Sequence, residues 1–300
     1  TILKNISFCK KDILEFNPDK IIFIDYPGFN MRIAKWSKKY KFETIYYIAP
    51  QLWAWNEKRI KEIKKYINSL YVILPFEKEF FESKHNYPVK FLGHPLADSI
   101  YNFKTNYNSS NKFITADKKP IIAILPGSRK QEIKKILNTV IETVECFKEY
   151  QFIVAGAPNI ELSYYTSIIK NKKIKVIENK TYELLSVSYA AIVTSGTATL
   201  ETALFKVPQV VCYKSSYFSF VIAKLIVNIK YISLVNLIMD QEIVKELIQQ
   251  DCNKNKITKE LKKILDLNHR KSLKVKYDEL ASILGNFGTS KRVALDIITK

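Results

Sequence analysis

Two periodicities alternate along this chain. Short continuous apolar runs, rich in Ile, Val and Tyr, are each followed by a stretch in which apolar residues recur every three or four positions. The first spacing predicts buried strands and the second amphipathic helices. The opening residues carry the helical spacing (Ile2, Leu3, Ile6, Cys9, Ile13). "KIIFID" (20–25) then predicts a strand and 28–40 a helix. "ETIYYIAP" (43–50), "LYVILP" (70–75) and "VKFLGHP" (89–95) are further strands, with helices over 56–67 and 76–84. This is a βαβ rhythm, which makes a mostly parallel sheet covered by helices.

Residues 101–118, "YNFKTNYNSSNKFITADK", are polar and rich in Asn and Ser, and are expected to form a linker. The rhythm then restarts, with strands at 120–127, 151–158, 173–178, 190–194 and 208–213. Helices are expected at 130–148, 160–170, 181–189 and 197–205. Both halves are expected to be doubly wound, each with a crevice at the carboxyl ends of its strands. Residues 217–239 are strongly apolar, but Lys224, Asn228 and Lys230 interrupt them. No uninterrupted run approaches the roughly 20 residues of a spanning helix, so a buried helix and loop is the expectation. A helix from 270, a break at "GNFGTS" (285–290) and a last helix close the chain. The resulting division is 1–100, a linker at 101–118, 119–284, and a helix over 285–300 that packs back on the first domain.

Length and composition narrow the picture. A chain of 300 residues with 47% hydrophobic side chains fits two domains with cores of their own. Four dispersed cysteines and three dispersed histidines have no ligand spacing. They read as reduced, mostly buried thiols and as no protein-bound metal. The net charge is +19, and with only five arginines it is carried by 43 lysines. Such a charge favours anionic partners, namely phosphorylated substrates or anionic lipid. Basic segments interleaved with stacking aromatics are missing, which argues against a nucleic-acid partner.

Three short stretches carry chemistry. In "AILPGSRKQE" (123–132) a strand ends at Pro126, and Gly127-Ser128-Arg129 open a helix. Uncapped amides at a helix start plus a guanidinium suit a phosphate, although a plain strand-to-helix turn with a surface arginine fits equally. "TSGTATLE" (194–201) is a second such turn, with Ser195, Gly196 and Thr197 small enough for a ligand to approach the backbone. Glu201 either favours a helix start as any acid does or accepts the hydroxyls of a ribose. "IDYPGFN" (24–30) puts Asp25 at a strand's carboxyl end, as a helix cap or a general base. Trp53 and Trp55 in "PQLWAW" are core aromatics or an apolar wall for lipid or sugar. His94 in "GHPLAD", near the expected hinge, is a structural histidine or a catalytic one.

These blocks, together with "LPFEKEFF" and "YISLVNLI...QEIVKELIQ", occur in an order that resembles lipid-A-disaccharide synthases over nearly the whole chain. The resemblance implies a GT-B fold, two Rossmann-like domains facing a cleft. It implies an inverting transfer from UDP-2,3-diacylglucosamine to 2,3-diacylglucosamine 1-phosphate, yielding the β-1,6-linked disaccharide 1-phosphate and UDP. It also implies no cofactor, no obligatory metal, and peripheral attachment to the cytoplasmic face of the inner membrane of a Gram-negative cell. A homodimer is compatible with it. Carried over by position, Asp25 becomes the base. Gly127, Ser128 and Arg129 become the donor's phosphate loop, and Ser195, Gly196, Thr197 and Glu201 the second nucleotide turn. Asn236 and Glu242 fall in a donor-side segment, while Trp53, Trp55 and His94 are candidates on the acceptor side.

One departure stands out. The family opens with a strand and a glycine loop of the "GE-x-SGD" type, which this sequence lacks, so the first domain is expected to be incomplete at its start. Two alternatives accompany the main reading. One is another UDP-sugar enzyme of the same fold, such as a UDP-N-acetylglucosamine 2-epimerase. The other is an inactive fragment that binds the membrane surface.

Overall fold

The computed structural model describes residues 2–107, 118–170, 174–216 and 229–299. The central part of the expected linker and residues 217–228 of the apolar segment lie outside the described residues. The chain divides into two compact units. One holds the residues up to Pro95 and the segment from Leu284 on, and the other holds most of what lies between.

The first unit follows the expected rhythm. Helix α1 (Ile2–Phe16) precedes strand β1 (Lys20–Ile24), α2 (Pro27–Ser37), β2 (Glu43–Tyr47), α3 (Ile60–Tyr66), β3 (Ser69–Val72), α4 (Pro75–Glu79) and β4 (Lys90–Phe91). The strands are parallel and lie in the order β1-β2-β3-β4. Double winding was expected here, but among the described residues this sheet runs in one direction only and has no point where the order reverses. One face packs Phe23, Tyr46, Leu70 and Val72 against Ile33, Ile63 and Phe81. The other buries Ile45 and Tyr71 under Val293 and Ile297 of the last helix. Neighbouring strand residues thus feed opposite cores, as a pleat requires, and each buried large side chain contributes about 1.5–3 kcal/mol.

β2 and β4 stop short of their expected ends for local reasons. β2 stops at Tyr47 because Ile48 takes a left-handed φ of 62°, a conformation a β-branched residue rarely adopts. β4 covers only two residues, since Gly93 turns the chain at φ +114°. His94 N–H then donates to Leu284 O rather than to the sheet.

The second unit begins with α5 (Leu96–Asn106), so the boundary lies at Pro95 and not at 100, and residues 101–106 are helical. Phe103 explains this, because its ring packs on Tyr182 and Phe205 of the second unit. Then come β5 (Ile121–Leu125), α6 (Lys130–Val144), β6 (Gln151–Gly156), α7 (Leu162–Ile168), β7 (Ile174–Glu178), α8 (Thr181–Val187), β8 (Ser188–Thr194), α9 (Thr197–Leu204) and β9 (Gln209–Tyr213). Helix α10 (Leu234–Met239), β10 (Lys245–Ile248), α11 (Lys254–Leu265) and α12 (Leu267–Leu284) complete it, and α13 (Thr289–Ile298) lies in the first unit. The parallel sheet has the order β7-β6-β5-β8-β9-β10, so the chain winds outward to β7, returns beside β5, and winds outward again. Within "IIAIL", Ile122 and Ile124 enter one core while Ile121, Ala123 and Leu125 enter the other. Burial on both faces is why these strands read as unbroken apolar runs.

Of the cysteines, Cys212 and Cys252 are buried, Cys9 is half-buried and Cys146 is exposed, so only two match the expected burial. No described helix is long and apolar enough to cross a membrane.

Candidate active site

The reversal of strand order in the second unit falls between β5 and β8, and open α/β sheets bind ligands at such a point, beyond the carboxyl ends of the strands. A cavity of about 450 Å³ lies there. Its lining comes from three strand ends: Pro126 to Arg129 after β5, Gly156 to Pro158 after β6, and Thr194 to Ala198 after β8. Glu132, Thr181 and Glu201 complete the wall. Gly127, Ser128, Arg129, Ser195, Gly196, Thr197 and Glu201 therefore share one cavity, although two of these groups are some seventy residues from each other.

The turns have the backbone such a pocket needs. Gly127 has φ +98°, and a Cβ there would lie 3.0 Å from Glu132 Oε2. Gly196 has φ +144° with no atom within 4 Å of where a Cβ would stand, so the backbone is open to a ligand. α6 and α9 start at these turns, and neither has a side-chain cap. Their first amides are therefore left for another acceptor, and the helix dipoles favour an anion there. Arg129 has an 81% exposed side chain whose Nη1 donates to Glu132 Oε1 at 2.9 Å. A cation thus stands at the cavity wall, paired with Glu132. Ser195 does not act as a free hydroxyl, because its Oγ donates to Ile232 O at 2.7 Å and pins the turn to the next segment.

Glu201 is the fifth residue of α9, beyond the first turn, which removes the reading of a plain helix-start charge. Its carboxyl is mostly buried and its pKa is raised by burial, an effect the Tyr182 hydrogen bond partly offsets. Tyr182 Oη donates to Glu201 Oε1 at 2.9 Å.

Two expected donor-side residues lie elsewhere. Asn236 is fully buried and spends all its capacity on its own unit. Its Nδ2 donates to Val244 O and Glu246 Oε1, and its Oδ1 accepts from the Ile243 and Val244 amides, all within 2.9 Å. An amide has no further capacity for a ligand. Glu242 pairs with Lys245 Nζ at 2.9 Å and lines a separate cavity of about 90 Å³ with Gln209 and His269.

In the first unit, Asp25 and Tyr26 sit at the end of β1 with left-handed φ values of 46° and 44°. Consecutive non-glycine residues in this region cost about 1–3 kcal/mol each and persist where surroundings enforce them. Here Tyr46 Oη and Asn30 Nδ2 both donate to Asp25 O at 2.6 Å. Burial raises the Tyr46 pKa, so its hydroxyl stays a donor at neutral pH. The Asp25 side chain is exposed, and among the described residues its carboxylate makes no hydrogen bond or ion pair. The braced backbone thus presents an exposed carboxylate at the end of β1.

The tryptophans differ. Trp53 packs edge-on to Phe76 at 4.8 Å, and its Nε1 donates to Glu77 Oε1 at 3.2 Å. Trp55 is 53% exposed, with the Arg59 guanidinium 5.8 Å from its ring centre. His94 is buried, and burial brings its pKa down to about 4, so it is neutral at pH 7. Glu77 gave no sequence signal; it is 1% exposed, yet burial pushes its pKa up to about 7. The "AGAP" turn after β6 was missed too, although it follows the same rule of small residues after a strand.

Comparison with known proteins bears on these features. A sequence profile of the family described as lipid-A-disaccharide synthetase matches residues 1–295. The chain is 37% identical over 282 residues to lipid-A-disaccharide synthase of Coxiella burnetii, covering 92% of this chain and 74% of that protein. It is 34% identical to the Trichlorobacter lovleyi lipid-A-disaccharide synthase over 292 residues, covering 95% and 76%. Among solved structures, UDP-GlcNAc 2-epimerase from Neisseria meningitidis bound to UDP-GlcNAc aligns at a TM-score of 0.70 and 14% identity. That alignment covers 100% of this chain and 81% of the epimerase. The S. aureus MnaA-UDP co-structure aligns at 0.72 and 15%, covering 100% and 82%. At such identities the likeness speaks for the GT-B type of fold alone.

Proposed function

We propose, from the premise that the chain belongs to the lipid-A-disaccharide synthetase family, how its own residues carry out that family's glycosyl transfer. The donor is UDP-2,3-diacylglucosamine and the acceptor 2,3-diacylglucosamine 1-phosphate. The acceptor 6-hydroxyl gives its proton to the Asp25 carboxylate as its oxygen bonds to the sugar's anomeric carbon. The bond from that carbon to the diphosphate breaks, its electron pair leaves with UDP, and the configuration inverts. The product is the β-1,6-linked disaccharide 1-phosphate.

The observation that carries this reading is the convergence of two uncapped helix starts and the exposed Arg129 on one cavity. Oriented amides and a guanidinium stabilise the charge growing on departing UDP, which is the work a divalent ion does elsewhere. Glu201 receives ribose hydroxyls, and Glu132 holds Arg129 until the diphosphate replaces it as partner. Trp55 offers apolar surface to the acceptor.

We further assign the chain to an anionic membrane surface, on the cytoplasmic side where UDP-sugars are made. Leu3, Phe8 and Phe16 on α1 are 71–81% exposed. A nearby cavity is lined by Lys10, Arg32, Lys35, Lys38 and Lys39 beside Trp36. Exposed apolar residues next to cations and an aromatic form the pattern of an interfacial helix.

Titration calorimetry with UDP tests the donor site. Loss of the guanidinium in Arg129→Ala weakens UDP by about 10- to 100-fold, the value of one charge-assisted hydrogen bond. Asp25→Asn leaves UDP affinity intact and lowers turnover of the diacylglucosamine substrates by about 10²- to 10⁴-fold. Equal UDP affinity of the arginine variant and the wild type would remove the assignment. Vesicle binding without any UDP binding would favour the reading as a surface-binding fragment.

A further inference from the structure

One polar group beside the cavity does no work in the transfer just derived. Tyr182, the second residue of α8, does not line the cavity, yet its hydroxyl donates to Glu201 Oε1 at 2.9 Å. Its ring is held on two sides. Phe103 of α5 meets it edge-on at 5.5 Å, Phe205 lies at 5.2 Å, and those two rings are 5.7 Å from one another. A further clamp comes from Lys104, whose Nζ sits 5.3 Å over the Phe205 ring and donates to Leu204 O. The tyrosine therefore cannot swing away from the carboxylate without breaking an aromatic cluster contributed by three separate elements.

The consequence falls on Glu201. Burial raises its pKa, which favours the neutral acid, and Tyr182 opposes this by donating to the carboxylate. Burial also holds the Tyr182 pKa well above its ordinary value, so the hydroxyl remains a donor at neutral pH. A carboxylate with one oxygen engaged from behind has its plane fixed and keeps Oε2 and a lone pair of Oε1 for a ligand. That is the acceptor pair that suits two vicinal hydroxyls and suits a single hydroxyl less well. A site built to receive a hydroxyl rejects the analogue lacking it, because its buried polar group is then left unpaired.

We infer that Tyr182 is a positioning residue that sets the pocket's preference for a ribonucleotide over its 2′-deoxy counterpart. The inference rests on Glu201 being the ribose acceptor, and the test separates the two. UDP and 2′-deoxy-UDP are titrated calorimetrically into the full chain, its Tyr182→Phe form and its Phe103→Leu form. Wild type binds UDP at least about 10-fold more tightly than 2′-deoxy-UDP, the value of one hydrogen bond to a charged group. Tyr182→Phe keeps the ring packing and brings the two affinities within about 3-fold, by weakening UDP while 2′-deoxy-UDP is held as before. Phe103→Leu loosens the clamp without touching Glu201 and gives an intermediate ratio, which keeps the inference testable if the phenylalanine form does not fold. A merely structural tyrosine lowers both affinities and the melting temperature together, and that outcome overturns the inference. So does an unchanged ratio in both variants. If wild type holds the two nucleotides equally, the ribose role of Glu201 falls, and the role of Tyr182 falls with it.

Discussion

Replacing Glu77 by glutamine tests which of two opposed effects governs the first unit's buried carboxyl. Its Oε2 accepts from the Ile73 and Leu74 amides at 3.1 and 2.9 Å, and its Oε1 accepts from Trp53 Nε1 at 3.2 Å. Three donors favour the carboxylate, while near-complete burial favours the acid. Burial wins, and the pKa rises from 4.5 to about 7. The sign follows from linkage. Between these two values the folded state binds more protons than the unfolded one, so stability falls as pH rises through the window and the loss is complete above pH 7. At about 1.4 kcal/mol per pH unit, the interval amounts to roughly 3 kcal/mol. Glutamine is neutral throughout but turns one acceptor into a donor facing an N–H, at a cost of about 1–3 kcal/mol. The variant should therefore be clearly less stable than wild type at pH 5 and close to it at pH 8. Urea melts at half-unit steps from pH 4.5 to 8.5, followed by tryptophan emission, measure the difference. A gap that stays constant over the window, or widens with pH, would show that the donors prevail and refute the reasoning.

Two further variants and a control probe the same unit. His94 has its pKa lowered from 6.5 to about 4 by burial. The unfolded state binds the proton first as pH drops, so stability rises with pH between those values, again by roughly 3 kcal/mol. His94→Gln should flatten that acid limb in urea melts. Because the Glu77 slope runs the other way, wild type should be nearly level from pH 4.5 to 6.5, and each single variant should expose the slope of the other group. Gly93→Ala should lower stability by about 2 kcal/mol or more, since φ is +114° and the added Cβ would lie 2.5 Å from Thr289 Oγ1. Gly28→Ala, with nothing within 4 Å, serves as the thermal-melt control and should stay within about 1 kcal/mol of wild type.

The two phosphate-compatible turns were legible because their signal is local. A strand that ends in Pro126-Gly127-Ser128 or Thr194-Ser195-Gly196 shows its conformational need in residue type alone, and the βαβ rhythm places both at the same end of one sheet. The strand order that sets them beside each other is not local. It rests on β8 pairing with β5 across about sixty intervening residues, and periodicity carries no record of pairing. The single-direction sheet of the first unit escaped prediction for the same reason, since a βαβ repeat has the same pattern whether the chain winds one way or both.

Side-chain roles divide along the same line. Asn236 and Glu201 are both polar residues inside short helices, and their partners separate them. Asn236 closes a complete set of four bonds inside its own unit, so its substitution should damage the segment before it touches a ligand. Glu201 has one oxygen taken by Tyr182 and a wall position in the cavity, so it retains capacity that the fold itself does not use. Unspent hydrogen-bonding capacity at a cavity wall is costly to maintain in a mostly buried group. Asp25 differs from both, since it is exposed, and neighbouring donors brace its strained backbone while its carboxylate has no partner among the described residues. Trp53 belongs with the structural groups through its bond to Glu77, which leaves Trp55 as the exposed tryptophan of that loop.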